Sequence, residues 1–340
     1  MESRPHNAAA DFIEPLAQRL TPAAYAFLIS ALNEVRTGAS KERRAQLLSL
    51  ASRHVRPGPL LVLDADELQS IKGAASKSIN EPTNAAASET VRCDPERWSV
   101  LETLRIVLLL ASPDLENEAF VDVFDYLFRF ADHGESCALY RALPLLPRGE
   151  RFVWRAGEGC RSNMRTIFEA AACDSPYPAA HFDDASWRQL VIKALFIDVP
   201  LSRIHGLDQR LSPELARMAL DLADERRSAG RAIAPQLWLC LGPHAGERGL
   251  QALRHELSNG DDAAQRGALL GLARAGALAY GNGNGNGSRS HDSHDSHDNG
   301  SNVRDTDTDT TWQRSACERH AQFIERARAG HFTQHALQFV

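Results

Sequence analysis

Most of the chain carries apolar residues at the three- and four-residue spacing of amphipathic helices. The pattern is clearest between residues 184 and 197, where apolar side chains fall at positions i, i+3, i+4, i+7 and i+8: Trp187, Leu190, Val191, Ala194 and Leu195. Strand and helix patterns do not alternate, and the connections are short. The pattern therefore predicts an all-α protein, built of antiparallel helix hairpins in a short HEAT-like α-solenoid array or a compact orthogonal bundle.

Start signals set the expected limits of several helices. Thr21-Pro22 and Ser212-Pro213 each place a capping side chain before a proline at the first helical position. A helix capped by Asp94 is expected to run through Ala111. One uninterrupted helix is expected from about Glu150 to Cys173, because its apolar residues keep a helical period throughout.

Two stretches break this pattern. Residues 72–92 are small and polar, and residues 281–311 contain GNGNGNG, His-Asp dipeptides and DTDTDT. Neither composition can bury a core. The expected organisation is N-terminal helices over 1–71, a flexible insertion over 72–93, a main helical domain over 94–278, a disordered low-complexity tract over 279–311 and a C-terminal helix over 312–340.

Composition narrows the class of protein. The formal net charge of −6, with arginines interleaved among carboxylates, argues against a nucleic-acid partner. Six cysteines form no C-x-x-C pair, which suits a reducing compartment. No signal peptide is visible, and the longest apolar run, Ile106 to Ala111, is too short to span a bilayer. We therefore expect a soluble, cytoplasmic protein without direct membrane insertion.

The first candidate site lies on the expected 150–173 helix. Its polar face carries five residues at steps of four, three, four and four: Trp154, Glu158, Arg161, Arg165 and Glu169. Gly157 and Gly159 flank the glutamate, and mid-helix glycine costs about 1 kcal/mol relative to alanine, which suggests a close approach by a ligand or a neighbouring helix. Two guanidinium groups beside a tryptophan suit a carboxylate, phosphate or aromatic anion. The alternative is an exposed face with ordinary ion pairs.

The second candidate is the turn from Asp198 to Arg210. It needs glycine and proline, but it also holds four polar residues that a turn does not require: Arg203, His205, Asp208 and Arg210. The alternative is that Asp208 and Arg210 cap helix ends and pair with each other. His205 has no evident partner in the sequence, so a general-base role lacks support.

Known catalytic patterns are missing from the sequence. Asp183-Asp184 lacks the third carboxylate of a D-D-x-x-D magnesium site and fits helix capping better. The His-Asp dipeptides at 291, 294 and 297 fall in the low-complexity tract, where nothing would hold metal ligands in place. There is no E-x-x-H pair and no Walker or Rossmann loop. We therefore predict no catalytic residue, no metal and no cofactor.

Several long strings resemble one protein family. RFVWRAGEGCRSNMRTIFEA, SPYPAAHFDDASWRQLVIKALFIDVPLSRIHGLDQR and SPELARMALDLADERRSAGR are similar to the EboA family, over about residues 95–245 and more weakly over the N-terminal helices. Gly157 stands where the family pattern often has Ala, and the tract 281–311 looks like an insertion in this chain.

The resemblance implies a role in metabolite traffic. The family's gene cluster also encodes a UbiA-type prenyltransferase, a TatD-like hydrolase and sugar-metabolism-like enzymes, and is associated with moving metabolites, including the scytonemin monomer, from cytoplasm to periplasm. It implies a small-molecule metabolite and other proteins of the cluster as partners. The family supplies no established catalytic residue that could be carried over to this chain.

The resulting hypothesis is a non-catalytic protein that binds or hands off a small prenylated or aromatic metabolite. The expected ligand-binding residues are Trp154, Glu158, Arg161, Asn163, Arg165, Arg203, His205, Asp208 and Arg210. Arg161 and Arg165 would hold an anionic group, Trp154 would stack, and Glu158 and Asp208 would orient the arginines. Two alternatives remain open: a pure scaffold for a biosynthetic enzyme, and an unrecognised enzyme of prenyl metabolism.

Overall fold

The computed structural model of the protein describes residues 9–58, 61–68, 94–278 and 314–339. These residues form helices and turns with no β-strand among them, which confirms the all-α prediction. The expected flexible insertion 72–93 and the expected low-complexity tract 279–311 lie outside the described residues. Within those ranges no helix is both long and apolar enough to cross a bilayer.

The chain divides into two compact units. One comprises Met1–Val199 with Arg203–Gly206, and the other comprises Pro200–Ser202 with Leu207–Val340. The α-helices of the first unit are α1 (Ala10–Arg19), α2 (Pro22–Arg36), α3 (Lys41–His54), α4 (Val100–Leu110), α5 (Phe120–Phe130), α6 (His133–Ala142), α7 (Val153–Arg161), α8 (Arg165–Ala172), α9 (Tyr177–His181) and α10 (Asp184–Phe196). Those of the second are α11 (Pro213–Ser228), α12 (Gly246–Asn259), α13 (Asp262–Arg274) and α14 (Ala321–Ala329).

Helix α4 forms the centre of the first unit. Every residue from Thr103 to Leu110 is buried, and the helix packs against α1, α2, α3 and α6. Asp94 caps only a short 3-10 helix, Pro95–Arg97, so the expected helix from Asp94 to Ala111 is wrong at its start. The α-helix begins instead after Ser99, which forms a capping box with Glu102. A capping box satisfies two otherwise unpaired N–H groups, so it fixes the start there.

The expected helix over 150–173 is interrupted. A 3-10 turn, Gly149–Phe152, leads into α7, and residues 162–164 separate α7 from α8. The Ser162 hydroxyl accepts a hydrogen bond from the Met164 N–H at 3.1 Å. This local bond competes with the helical ladder. Met164 is one of the apolar residues whose spacing predicted the single helix, and at the interruption its side chain is 55% exposed.

The second unit is built around α13. It packs against α12, α14 and the 3-10 segment Pro235–Cys240. Helix α11 begins at the expected cap, because the Ser212 hydroxyl accepts from the Leu215 N–H, and it ends before Gly230, whose φ is +64°. The C-terminal segment is helical over 314–319 and, after a break at His320, over α14.

Candidate functional site

The polar face predicted on the interrupted helix begins on α7. Trp154 is 62% exposed, and the Arg155 guanidinium lies over its ring at 4.6 Å from the centroid. Arg155 also bonds Asp125 at 2.7 Å and forms a short ion pair with Glu158. Glu158 therefore orients Arg155, where the sequence predicted that it would orient Arg161 and Arg165. Charge alone did not distinguish Arg155 from Arg161, because each lies three positions from Glu158.

The two glycines of α7 have different surroundings. A methyl group on Gly159 would lie 2.7 Å from both the Ala171 Cβ and the Tyr140 ring. At Gly157 the nearest atom would be the guanidinium of exposed Arg161, at 3.0 Å. Close packing of α7 against α6 and α8 thus explains Gly159. Close packing does not explain Gly157, because the nearest atom belongs to the exposed and flexible Arg161 side chain, which can move away.

Beyond the break, Asn163 and Arg165 engage α10 and α8. Lys193 Nζ donates to Asn163 Oδ1 at 2.8 Å. Arg165 donates through Nε to Glu169 at 2.8 Å and through a terminal nitrogen to the Ile197 carbonyl at 3.4 Å. Because 165 and 169 lie on a separate helix, the predicted single row of five side chains does not form. Its two halves are Trp154, Glu158 and Arg161 on α7, and Arg165 and Glu169 on α8.

Arg203 is the most strongly bound residue of the predicted set. It donates to Asp174 at 2.6 and 3.0 Å and to Glu169 at 2.9 Å. Although burial alone would lower it, these bonds raise the pKa of Arg203 above its usual range. Burial likewise opposes the hydrogen bonds from Arg165 and Arg203 that hold the pKa of Glu169 below its usual value. Arg203 thus sits in a partly buried ion-pair network as a fixed cation.

The remaining residues of the turn divide between the units. His205 belongs to the first unit and is half-buried. Asp208 and Arg210 belong to the second unit. There Asp208 pairs with Arg274 at 2.7 Å and accepts the Gln334 N–H at 3.0 Å. Asp208 is therefore bound by an arginine that lies 66 positions away in the sequence, and its role in orienting Arg161 and Arg165 stays a prediction.

One groove escaped sequence reasoning. It runs between α3 and α5 in the first unit, with a larger section of about 590 Å³ and an adjoining section of about 280 Å³. Both sections are lined by Arg53, Leu50 and Phe130. Phe130 continues the helical spacing of the apolar residues of α5, yet it is 58% exposed. The signal available in the sequence was its place at the last turn of the helix, next to Arg129.

Each of the five cysteines in the described ranges is buried and forms no disulfide. Cys137 Sγ lies 4.0 Å from His133 Nε2, the spacing of a loose thiol–imidazole pair. Burial raises the pKa of Cys137 to about 11 and that of Cys173 to about 12. A thiol with such a pKa stays protonated near neutral pH, and the thiolate is the reactive form. In the parts of the chain that the structure describes, no three His, Cys, Asp or Glu side chains form a group that could hold a metal ion.

Comparison with known proteins identifies the family. A family model described as "Metabolite traffic protein EboA" matches residues 10–242, more than two thirds of the chain. No curated protein and no solved structure matches the chain. The match includes α1 to α11, and therefore the interrupted helix pair, the 198–210 turn and the groove. The chain belongs to the EboA family, as the motif resemblance predicted.

Proposed function

Because the chain belongs to the EboA family, we propose that it is a non-catalytic metabolite-traffic protein of the cytoplasm. It binds or hands off a small prenylated or aromatic metabolite and acts with other proteins of its gene cluster, which export the metabolite to the periplasm. The observation that carries this proposal is the family match over residues 10–242. The raised pKa of the Cys137 thiol supports a side chain that does not act as a nucleophile near neutral pH.

The exposed members of the predicted set form the proposed contact surface. Trp154, Arg161, Asn163 and Arg165 are all exposed, whereas Arg203 is held by carboxylates within the first unit. An exposed guanidinium such as that of Arg161 can bind an anionic group at little cost, because among the described residues it forms no ion pair that would have to be broken. In this proposal Arg203, His205, Asp208 and Arg210 shape the turn that follows α10.

The scaffold alternative has one specific observation in its favour. Trp154 is exposed, and Arg155 is stacked against it. Exposed tryptophan and arginine side chains are the commonest energetic centres of protein–protein interfaces. The same surface could therefore bind a biosynthetic enzyme of the cluster without contacting the metabolite.

A deletion strain tests the proposed function. Metabolites are quantified separately in cytoplasm and periplasm after deletion and after complementation with wild type, with Arg161→Ala/Arg165→Ala, or with the control Arg36→Ala/Arg56→Ala, whose arginines are also exposed. We expect cytoplasmic accumulation on deletion, rescue by wild type and control, and at best partial rescue by the first double variant. An unchanged distribution on deletion would refute the traffic role.

Two outcomes separate the alternatives. Loss of co-purification with a cluster enzyme in Trp154→Ala, with unchanged metabolite binding, would establish the scaffold. Full rescue by the Arg161/Arg165 double variant would remove these arginines from the site.

A further inference from the structure

We propose that the groove between α3 and α5 is a binding site for a small, elongated and uncharged molecule, with an aromatic or unsaturated body and hydroxyl or carbonyl oxygens. The inference rests on the proposed function and gives it a place and a ligand class. None of the nine residues predicted from the sequence lines this groove, which is formed by α3, by the end of α5 and by the start of α6.

One wall of the groove is aromatic. The Tyr126 and Phe130 rings are in contact, with centroids 4.7 Å apart, and the Lys41 ammonium lies over the Tyr126 ring at 4.8 Å. Leu50 and Ala45 of α3 form the facing apolar wall. Phe130 is 58% exposed beside this concavity and offers a large aromatic face that an apolar partner could cover. These walls call for an aromatic or unsaturated body.

The groove also offers hydrogen-bonding groups along its length. Gln46 and Ser49 lie on the same side of α3, and Arg53 borders both sections. Within the ranges that the structure describes, Arg53 forms no ion pair with a carboxylate, so its five N–H donors are available. Donors and acceptors at several points along an apolar slot suit hydroxyl or carbonyl oxygens on the ligand.

The charges at the groove nearly cancel. Glu135 accepts hydrogen bonds from the buried Arg105 guanidinium at 3.4 Å and from the Asp132 N–H at 3.0 Å, and Asp132 caps α6 in return. Glu42 lies at the other end, in the first turn of α3. The carboxylates Glu42, Asp132 and Glu135 face four cations, which are Lys41, Arg53, Arg105 and Arg129, the last with its guanidinium 5.7 Å from the Phe130 ring centroid. Neither sign exceeds the other by more than one charge, so the groove favours an uncharged ligand over a charged one.

The dimensions fit a small molecule better than a protein. The larger section, about 590 Å³, lies within the ~300–1,000 Å³ range of small-molecule sites. From Glu42 to Arg53 the helix rises by about 16 Å at ~1.5 Å per residue, the length of an extended molecule of two or three rings. A stable protein interface would need about 800 Å² per partner, far more than this slot.

The test is a titration of the full-length protein with N-phenyl-1-naphthylamine, an uncharged aromatic dye that fluoresces when it leaves water. We expect saturable binding of one dye per chain, with displacement by farnesol or 4-phenylphenol. Phe130→Ala should weaken dye binding at least about tenfold, since it removes the exposed ring of the wall. Phe196→Ala is the matched control, because Phe196 is 57% exposed in the same unit. Its affinity should stay within about twofold of wild type.

A second variant and a charged probe sharpen the test. Ser49→Trp fills the slot from the exposed face of α3 and should also abolish dye binding, while far-UV circular dichroism and the melting temperature verify that both groove variants are folded. The anionic dye 1-anilinonaphthalene-8-sulfonate should bind at least about tenfold more weakly than the uncharged one. Equal binding of the two dyes would overturn the charge argument.

Failure of the groove and failure of the proposed function are distinguishable. Saturable dye binding that survives both Phe130→Ala and Ser49→Trp would place the site elsewhere and leave the traffic role standing. Absence of any saturable binding would overturn the groove, while the metabolite distribution in the deletion strain would decide the traffic role independently.

Discussion

Replacing Gly159 by alanine should destabilise the first unit, whereas the same change at Gly157, two residues earlier in α7, should stabilise it. In an unconstrained helix, glycine to alanine is favourable by about 1 kcal/mol. At Gly159 the added methyl would lie 2.7 Å from the Ala171 Cβ and from the Tyr140 ring. Carbon atoms pack at roughly 3.5–4.0 Å, so α6 and α8 would have to move away.

The magnitude follows from these two opposing effects. Overpacking a well-packed site typically costs about 1–3 kcal/mol, and here two neighbours are affected, so the upper half of that range applies. Subtracting the gain of about 1 kcal/mol in helix propensity leaves a net loss of about 1–2 kcal/mol at Gly159. At Gly157 only the mobile Arg161 guanidinium, at 3.0 Å, must move, so most of the propensity gain should survive.

The assay is urea unfolding of both variants and the wild type, followed by far-UV circular dichroism, together with thermal scans. For a unit of this size, 1 kcal/mol corresponds to about 2–4 °C in melting temperature. Ala171→Gly alone should cost about 1 kcal/mol, because Ala171 lies inside α8. In the double variant Gly159→Ala/Ala171→Gly the total loss should be smaller than the sum of the two single losses, because one of the two close contacts is removed. A Gly159→Ala protein as stable as the wild type, or less affected than Gly157→Ala, would refute the packing explanation.

Three further predictions concern buried ionisable groups. Arg203→Met should lower the free energy of unfolding by about 2–4 kcal/mol in urea unfolding, because two partly buried carboxylates lose their shared partner; a loss below about 1 kcal/mol would contradict this. Burial lowers the pKa of His181 below its usual value of 6.5, so around and below pH 6.5 the unfolded state binds more protons than the folded state. The free energy of unfolding should therefore fall as the pH drops below 6.5, and it should fall less steeply in His181→Gln. In a Cys93→Ser background, native protein should resist iodoacetamide at pH 7.5, and rapid labelling of Cys137, read by mass spectrometry, would revive the enzyme alternative.

The helix starts were predictable because capping is local. Thr21, Asp183 and Ser212 each accept a hydrogen bond from the backbone N–H three residues later, as their sequence neighbourhoods indicated. A few residues contain all the information needed, so no knowledge of the tertiary fold is required. The same holds for Gly230, whose left-handed backbone ends α11.

The interruption after α7 was not predictable from periodicity. Apolar residues keep a helical spacing across it, and only the hydroxyl bond of Ser162 and the packing of Gly159 distinguish the real arrangement. Apolar spacing shows which residues share a helix face, but it cannot show whether another helix packs against that face. Phe130 shows the same limit of periodicity. Its position fits the apolar spacing of α5, but in the structure it lies beside the open groove between α3 and α5.

The ion-pair network of Arg203 was invisible because its partners are distant in sequence. Asp174 and Glu169 lie 29 and 34 positions away, and helical reasoning pairs charges only three or four apart. The sequence therefore showed that the turn was unusually polar and could not show why. Several of the candidate residues are exposed, since exposed polar faces follow directly from the helical period.

The contacts of the 198–210 turn give its polar residues a structural reason. Arg203 is fixed within the first unit by Glu169 and Asp174, and Asp208 is fixed within the second by Arg274. Each unit thus anchors its own part of the turn, and the unusual string does not require a ligand. Arg161 is different, because it is exposed and its removal should change the free energy of unfolding by no more than about 0.5 kcal/mol. Loss of metabolite traffic in Arg161→Ala at unchanged stability would therefore indicate a contact site, whereas loss in Arg203→Met that scales with its lower stability would indicate only a damaged fold.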